Sequence, residues 1–182
     1  MARLERRGFA VLRGVVPPDA VERALRHVHL ALVREGLPAD RLGAWLWDAH
    51  WFSHLKWDEP IVGLTAFLPP ELRDGTACDP QILLHPPDDC DEVELTSHVD
   101  VEPPWAEGRT YRSIVGVALS AAGPEDGGLV VWPFDEAGPE PLELEAGDAV
   151  VMHPRLPHAS GRNRQGRIRY AVYFRFLEPA SS

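Results

Sequence analysis

The chain is 182 residues long, 45% hydrophobic and 25% charged, which suits one domain able to bury a real core. Its formal net charge of −10 repels phosphate backbones and excludes non-specific nucleic-acid binding. No apolar run approaches the roughly 20 residues that span a bilayer, and the short apolar stretch near the N-terminus is broken by Arg13 and lacks a signal-peptide cleavage site. Cys78 and Cys90 form neither a CxxC pair nor a disulfide framework. Two free thiols in a reducing cytosol are expected, in a soluble cytoplasmic protein with no membrane or nucleic-acid partner.

In chain order, Gly8 to Val15 is a short β-like run, and Pro17-Pro18-Asp19 signals a helix start. Val21, Leu25, Val28 and Leu32 follow at helical spacing on one face, with Gly36 as the C-terminal stop. Residues 43 to 60 carry Trp45, Trp47, Trp51, Phe52 and Trp57 together with His50 and His54. This segment reads as an aromatic plug at the end of a barrel, with a pocket wall or lid as the alternative. From about residue 80 onward, strand patterns cover Gln81 to His85, Val93 to Val99, Ser113 to Ser120, Gly128 to Pro133, Ala149 to His153 and Arg167 to Leu177. Turn sequences separate them, among them Pro124-Glu125-Asp126-Gly127-Gly128 and Ala146-Gly147-Asp148. Strands at this spacing predict a mainly β fold with flanking helices, a closed or double-sheet architecture, in a single domain over residues 1–182.

The central motif is His98-Val99-Asp100. In a strand, residues i and i+2 point to the same face, roughly 6.5 to 7 Å apart, so an imidazole and a carboxylate there can converge on one metal. A second histidine from a distant strand completes a 2-His-1-carboxylate face with open positions, the arrangement of non-haem Fe(II) oxygenases. A structural zinc site would close its shell with four ligands, usually including Cys, and neither cysteine sits near this motif. His153 and His158 compete for the third position, and each has an arginine eleven residues later, Arg164 and Arg169. Strand alternation favours His158. Ile168, Tyr170, Val172, Phe174 and Phe176 form one apolar face, and Arg169, Ala171, Tyr173 and Arg175 form the other, so Arg169 lies inside a strand, whereas Arg164 lies in the turn RNRQGR. A buried arginine beside a small residue can receive a carboxylate in bidentate fashion.

The ordered set GFAVLRGVVPPDAVERAL, HVD, GGLVVWP, GDAVVMHPRLPH and HASGRNRQGRIR resembles the phytanoyl-CoA dioxygenase-like branch of the Fe(II)/2-oxoglutarate-dependent oxygenases. The resemblance implies a double-stranded β-helix (jelly-roll, cupin-like) core. It implies Fe(II) on His98, Asp100 and His158, with Arg169 and Ser160 holding the distal carboxylate of the co-substrate 2-oxoglutarate. The implied activity is that of an iron-dependent dioxygenase: O2 and 2-oxoglutarate are consumed, a small molecule is hydroxylated or otherwise oxidised, and succinate and CO2 are released. The carboxylate at Asp100 argues against halogenation, since related halogenases carry a small residue there. Departures from the family pattern are Val99 where many relatives have Gln, Pro133-Phe134-Asp135-Glu136 in place of Pro-Gly-Ser-His, and Gln81 or His85 where many have a Lys or Asn helping to hold 2-oxoglutarate.

The aromatic segment 45 to 57 and the loop 101 to 112, with Trp105 and Arg109, point to an aromatic or cyclic substrate. His50 and His54 share a helix face but lack the glutamate of an HExxH zinc site. His27 and His29 are expected on the first helix at the surface or partly packed, Trp132 in the core or pocket wall, and Asn163 as a turn residue. Two other functions fit the same residues: a non-haem iron enzyme of this scaffold that does not use 2-oxoglutarate, and a non-catalytic jelly-roll module that binds a ligand.

Overall fold

The computed structural model describes residues 2–34, 55–73, 77–87, 95–100, 111–136 and 138–177. Among these, eight strands form two sheets: β1 (Phe9–Leu12), β2 (Ala77–His85), β3 (Tyr111–Ala118), β4 (Leu129–Val131), β5 (Glu140–Pro141), β6 (Ala149–Met152), β7 (His158–Ser160) and β8 (Arg169–Leu177). The larger sheet has the order β1-β6-β3-β8-β2 and the smaller β5-β4-β7. Every pairing is antiparallel, and the mainly β jelly-roll class expected from the sequence is the class observed.

Period-two alternation gives the larger sheet two covered faces. On one, Val115, Val117, Val151, Val172 and Phe174 pack against helix α2 (Pro18–Arg34) and the short helical turns between residues 55 and 73. On the other, Ile114, Ala118, Val150 and Met152 meet Leu129, Val131, Leu142 and Leu144 around the smaller sheet. The buried stripe of α2 is Ala20, Val21, Ala24, Val28 and Ala31, with Leu25 and Leu32 only partly covered. Small side chains let the helix lie close to the sheet, so its inward face is turned toward the alanines and away from the leucines that the spacing suggested.

The β8 pairings carry two bulges, and the first has a local cause. Cys78 opposes Arg175 and Gln81 opposes Tyr173, which puts one extra residue on β2 beside Pro80, a residue that cannot donate to a ladder. Tyr111 and Ser113 face Leu177 and Phe176 with a similar shift. Gly116 stands opposite Tyr173, and a Cβ there would come within 2.6 Å of the tyrosine ring. The glycine is thus what lets Tyr173 lie flat across the inter-sheet face.

Several expectations need correction. The Val93 to Val99 strand does not form over its described part: residues 95–97 have no regular structure, and His98 alone makes an isolated antiparallel bridge, to His158. The strand expected to run from Ala149 to His153 stops at Met152. A turn follows, in which Leu156 N–H donates to His153 O, and His158 opens a separate strand in the other sheet. Pro154 and Pro157 explain the break, because neither has an N–H to continue a ladder. An N-terminal helix, α1 (Ala2–Arg7), and strands β5 and β7 were not anticipated. Gly36, the histidines His50 and His54, the tryptophans Trp45, Trp47, Trp51 and Trp105, Arg109 and Cys90 lie outside the described residues.

Candidate metal centre and co-substrate site

Five side chains singled out in the sequence, His98, Asp100, His158, Ser160 and Arg169, come together at the open edge between the two sheets. β7 supplies His158 and Ser160 from the smaller sheet. The segment bearing His98 and Asp100 is tied to it by reciprocal backbone bonds, His98 N–H to His158 O and His158 N–H to His98 O, both 2.9 Å. The two imidazoles stand with centroids 4.4 Å apart at an interplanar angle of 53°. Asp100 Oδ2 lies 3.9 Å from His158 Nε2. It is therefore cross-strand pairing with His158 that brings the HxD motif to the site, and not a strand of its own.

The tautomer of His158 follows from its surroundings. Its Nδ1 lies 3.0 Å from Leu156 O, and a carbonyl can only accept, so Nδ1–H is the donor and Nε2 of the neutral ring carries the lone pair. That is the arrangement in which metal-binding imidazoles are commonly held, with the outer N–H on a backbone carbonyl. His153, the competing histidine, is elsewhere: its Nδ1 accepts from Arg155 N–H at 3.1 Å and its ring packs edge-on against Phe134. The pKa of His98 lies below the ordinary imidazole value. Although the residue is exposed overall, burial of its inner side is the first cause, followed by the facing His158; Asp100 opposes the shift and Arg175 adds to it.

Among the described residues, no three His, Cys, Asp or Glu side chains stand as a ready-made metal-holding group. The imidazole planes are tilted by 53° to each other, and Asp100 Oδ1 accepts from Arg175 Nη2 at 3.1 Å. The donor types, two imidazoles and a carboxylate on paired segments, fit a divalent metal.

Arg169 is 2% exposed. Its Nη2 donates to Ser160 Oγ at 3.3 Å, while its Nε is buried with no hydrogen-bond partner among the described residues. A buried unpaired donor on a charged group costs at least about 1–3 kcal/mol, and a carboxylate oxygen is the partner whose geometry matches a guanidinium edge. The fit to the carboxylate of 2-oxoglutarate therefore rests on an atom that lacks a partner.

A cavity of about 130 Å³ opens beside these groups, lined by Leu83, Leu129, Tyr173, Arg175 and Gln81 as well as His98, Asp100, His158 and Ser160. Arg175 and Tyr173 carried no site role in the sequence reading, and Gln81 only that of a stand-in for the family's Lys or Asn. The signal was present in β8, where residues 169, 171, 173 and 175 share a face. Neither proposed stand-in for the family's Lys or Asn is an obvious one: Gln81 Oε1 accepts from Arg175 at 3.1 Å, and the His85 ring packs against Gly127, 2.6 Å from where a Cβ there would stand.

The class that this fold and donor set define is the non-haem iron, 2-oxoglutarate-dependent oxygenase. The chain belongs to the phytanoyl-CoA dioxygenase (PhyH) family, whose model matches residues 80–171, half of its length. One similar structure, SnoN, is solved in complex with Fe3+, α-ketoglutarate and nogalamycin RO. Among curated proteins none matches at the level of sequence. Solved structures share the fold. AviO1 from Streptomyces viridochromogenes Tue57 is 24% identical with a TM-score of 0.66, the match covering 100% of this chain and 94% of that one. SnoN, a non-haem α-ketoglutarate-dependent epimerase from nogalamycin biosynthesis, is 19% identical with a TM-score of 0.66, over 97% of this chain and 81% of that one. HygX from Streptomyces hygroscopicus, solved with nickel and 2-oxoglutarate bound, is 16% identical with a TM-score of 0.59, over 97% and 84%.

Proposed function

We propose that the chain is an Fe(II)- and 2-oxoglutarate-dependent dioxygenase that hydroxylates, or otherwise oxidises, a small molecule in the cytoplasm, and that residues 1–182 act as one domain. The observation that carries this reading is the His98–His158 bridge, which sets Asp100 Oδ2 3.9 Å from a histidine whose Nε2 is held as a lone-pair donor. In this reading His98, Asp100 and His158 hold the metal, and Arg169, steadied by Ser160, takes the distal carboxylate of 2-oxoglutarate. The bound iron supplies the means to couple O2 and 2-oxoglutarate to oxidation of a C–H bond, with succinate and CO2 as co-products.

The chain's own residues do the rest. Leu156 O fixes the His158 tautomer. Arg169 neutralises the co-substrate carboxylate in a place closed to water. Leu83, Leu129 and Tyr173 give the cavity an apolar wall, suited to an aromatic or cyclic substrate. SnoN is an epimerase and SnoK a carbocyclase, both from nogalamycin biosynthesis, so oxidations other than hydroxylation belong to this reading too.

The test is spectroscopic. Anaerobic Fe(II) with 2-oxoglutarate should give a weak visible charge-transfer band in the wild-type chain and none in Asp100→Ala or His158→Ala. Absence of the band in the wild type at micromolar protein, with no iron bound, sinks the reading. Arg169→Ala should keep iron and lose the band, because the co-substrate no longer docks.

A further inference from the structure

The Asp100 carboxylate is divided between two neighbours. Oδ2 faces His158 Nε2 at 3.9 Å, while Oδ1 accepts from Arg175 Nη2 at 3.1 Å. The same Nη2 donates to Gln81 Oε1 at 3.1 Å, so the two protons of one nitrogen go to β2 on one side and to the HxD segment on the other. The side chains of Arg175 and Asp100 are 13% and 15% exposed, whereas the surface pair Arg164–Glu125 is 58% and 55% exposed. Solvent and salt weaken the second kind of pair far more than the first. Arg175 projects from the inter-sheet face of β8, the face that also carries Arg169 and Tyr173.

Resting on the metal centre proposed above, we infer that Arg175 is a positioning residue for the metal-ligating carboxylate. It takes Oδ1 and leaves Oδ2, the oxygen turned toward His158, for the metal. A carboxylate free to turn can offer either oxygen, or both at once, and both at once would fill a position the chemistry needs open. Gln81 completes the device by holding the guanidinium from the neighbouring strand. A rival role predicts the opposite sign. If Arg175 only balanced the charge of Asp100, its positive charge would compete with a divalent cation, and removing it would tighten metal binding. If it positions Oδ2, removing it loosens binding despite the relief of repulsion.

The experiment titrates the metal-free chain with Mn(II) and follows the EPR signal of unbound Mn(II), with His158→Ala as the site control and the thermal midpoint of each metal-free variant as the fold control. Arg175→Met should weaken Mn(II) binding about 10- to 100-fold, the usual effect of losing an outer partner of a metal ligand. Arg175→Lys should recover part of the loss, and Gln81→Leu should weaken binding several-fold. Mn(II) affinity in Arg175→Met that is unchanged or tighter, while His158→Ala loses it, overturns the inference and leaves the metal centre standing. A wild-type chain that binds no Mn(II) overturns both. If Arg175→Met does not fold, Gln81→Leu decides, and unchanged affinity there overturns the inference.

Discussion

Asn163 shows how far a single side chain can act from its place in the sequence. It is 1% exposed; its Nδ2 donates to His85 O at 2.7 Å and to Arg167 O at 2.8 Å, and its Oδ1 accepts from Gln165 N–H at 3.1 Å. The last of these is the local turn contact expected of an asparagine in RNRQGR. The bond to His85 joins the end of β2 to the turn just ahead of Arg169, and so helps place the arginine proposed to take the co-substrate. Asn163→Leu keeps the number and branching of side-chain heavy atoms and removes the donors, leaving carbonyls of β2 and of the turn short of a partner. The expected loss is about 1–3 kcal/mol of stability, read as a lower urea midpoint with unchanged slope; an unaltered midpoint would falsify the clamp. The local half of this role was legible, and the distant half was not, because nothing near residue 163 in the chain indicates residue 85. His158 and His153 differ in the same way. Each is followed at the same interval by an arginine; strand alternation around Arg169 favours His158, and the tertiary structure adds its bridge to His98.

At the scale of elements, the turn into β6 is held by one carboxylate. Asp148 Oδ1 accepts from Gly14 N–H at 2.7 Å, and Oδ2 accepts from Glu145 N–H at 2.9 Å and Arg13 Nη1 at 2.6 Å. Burial by itself would raise its pKa, but the backbone donors of Glu145 and Gly14 and the Arg13 guanidinium outweigh it and hold the carboxyl below the usual range. A carboxylate depressed in the folded state contributes stability that is fully present above its unfolded pKa, about 3.9, and that disappears as pH falls through the folded value. Asp148→Asn is therefore expected to lower stability by about 1–3 kcal/mol near neutral pH, with the gap to wild type closing below about pH 4. Chemical denaturation of both chains across pH 3 to 7 checks this, and a gap that widened toward acid would reverse the argument. Arg13 is 62% exposed, so the buried N–H bonds contribute more than the ion pair. Element by element, β8 was the clearest to read, since its alternation runs the whole strand. β7 was missed because three residues between a proline and a glycine carry no periodic signal; it exists because β4 offers a partner from Leu129 to Val131.

For the whole molecule, the two sheets and the helix layer are held by two large apolar clusters, so the metal should add stability and not create the fold. A ligand that binds only the native state stabilises it by about 2.7 kcal/mol at one hundred times its dissociation constant. Mn(II) at that excess should raise the thermal midpoint of the wild-type chain by several degrees and leave Asp100→Ala unmoved. An equal rise in both would place the cation elsewhere. Among the described residues no helix is long and apolar enough to cross a membrane, in keeping with the composition. The residue types and their order in the chain were enough to indicate a double-sheet β fold, the family, and the candidates His98, Asp100, His158, Ser160 and Arg169, because hydrophobic period and turn chemistry are local and these residues recur in a fixed order. What only the tertiary structure decided is how they meet: His98 bridged to His158, Arg169 buried against Ser160, and Arg175 and Gln81 gathered around Asp100. Those contacts join strands far apart in the chain, and pairing across the gap between two sheets is set by packing, which leaves no mark on the spacing of residues along any one strand.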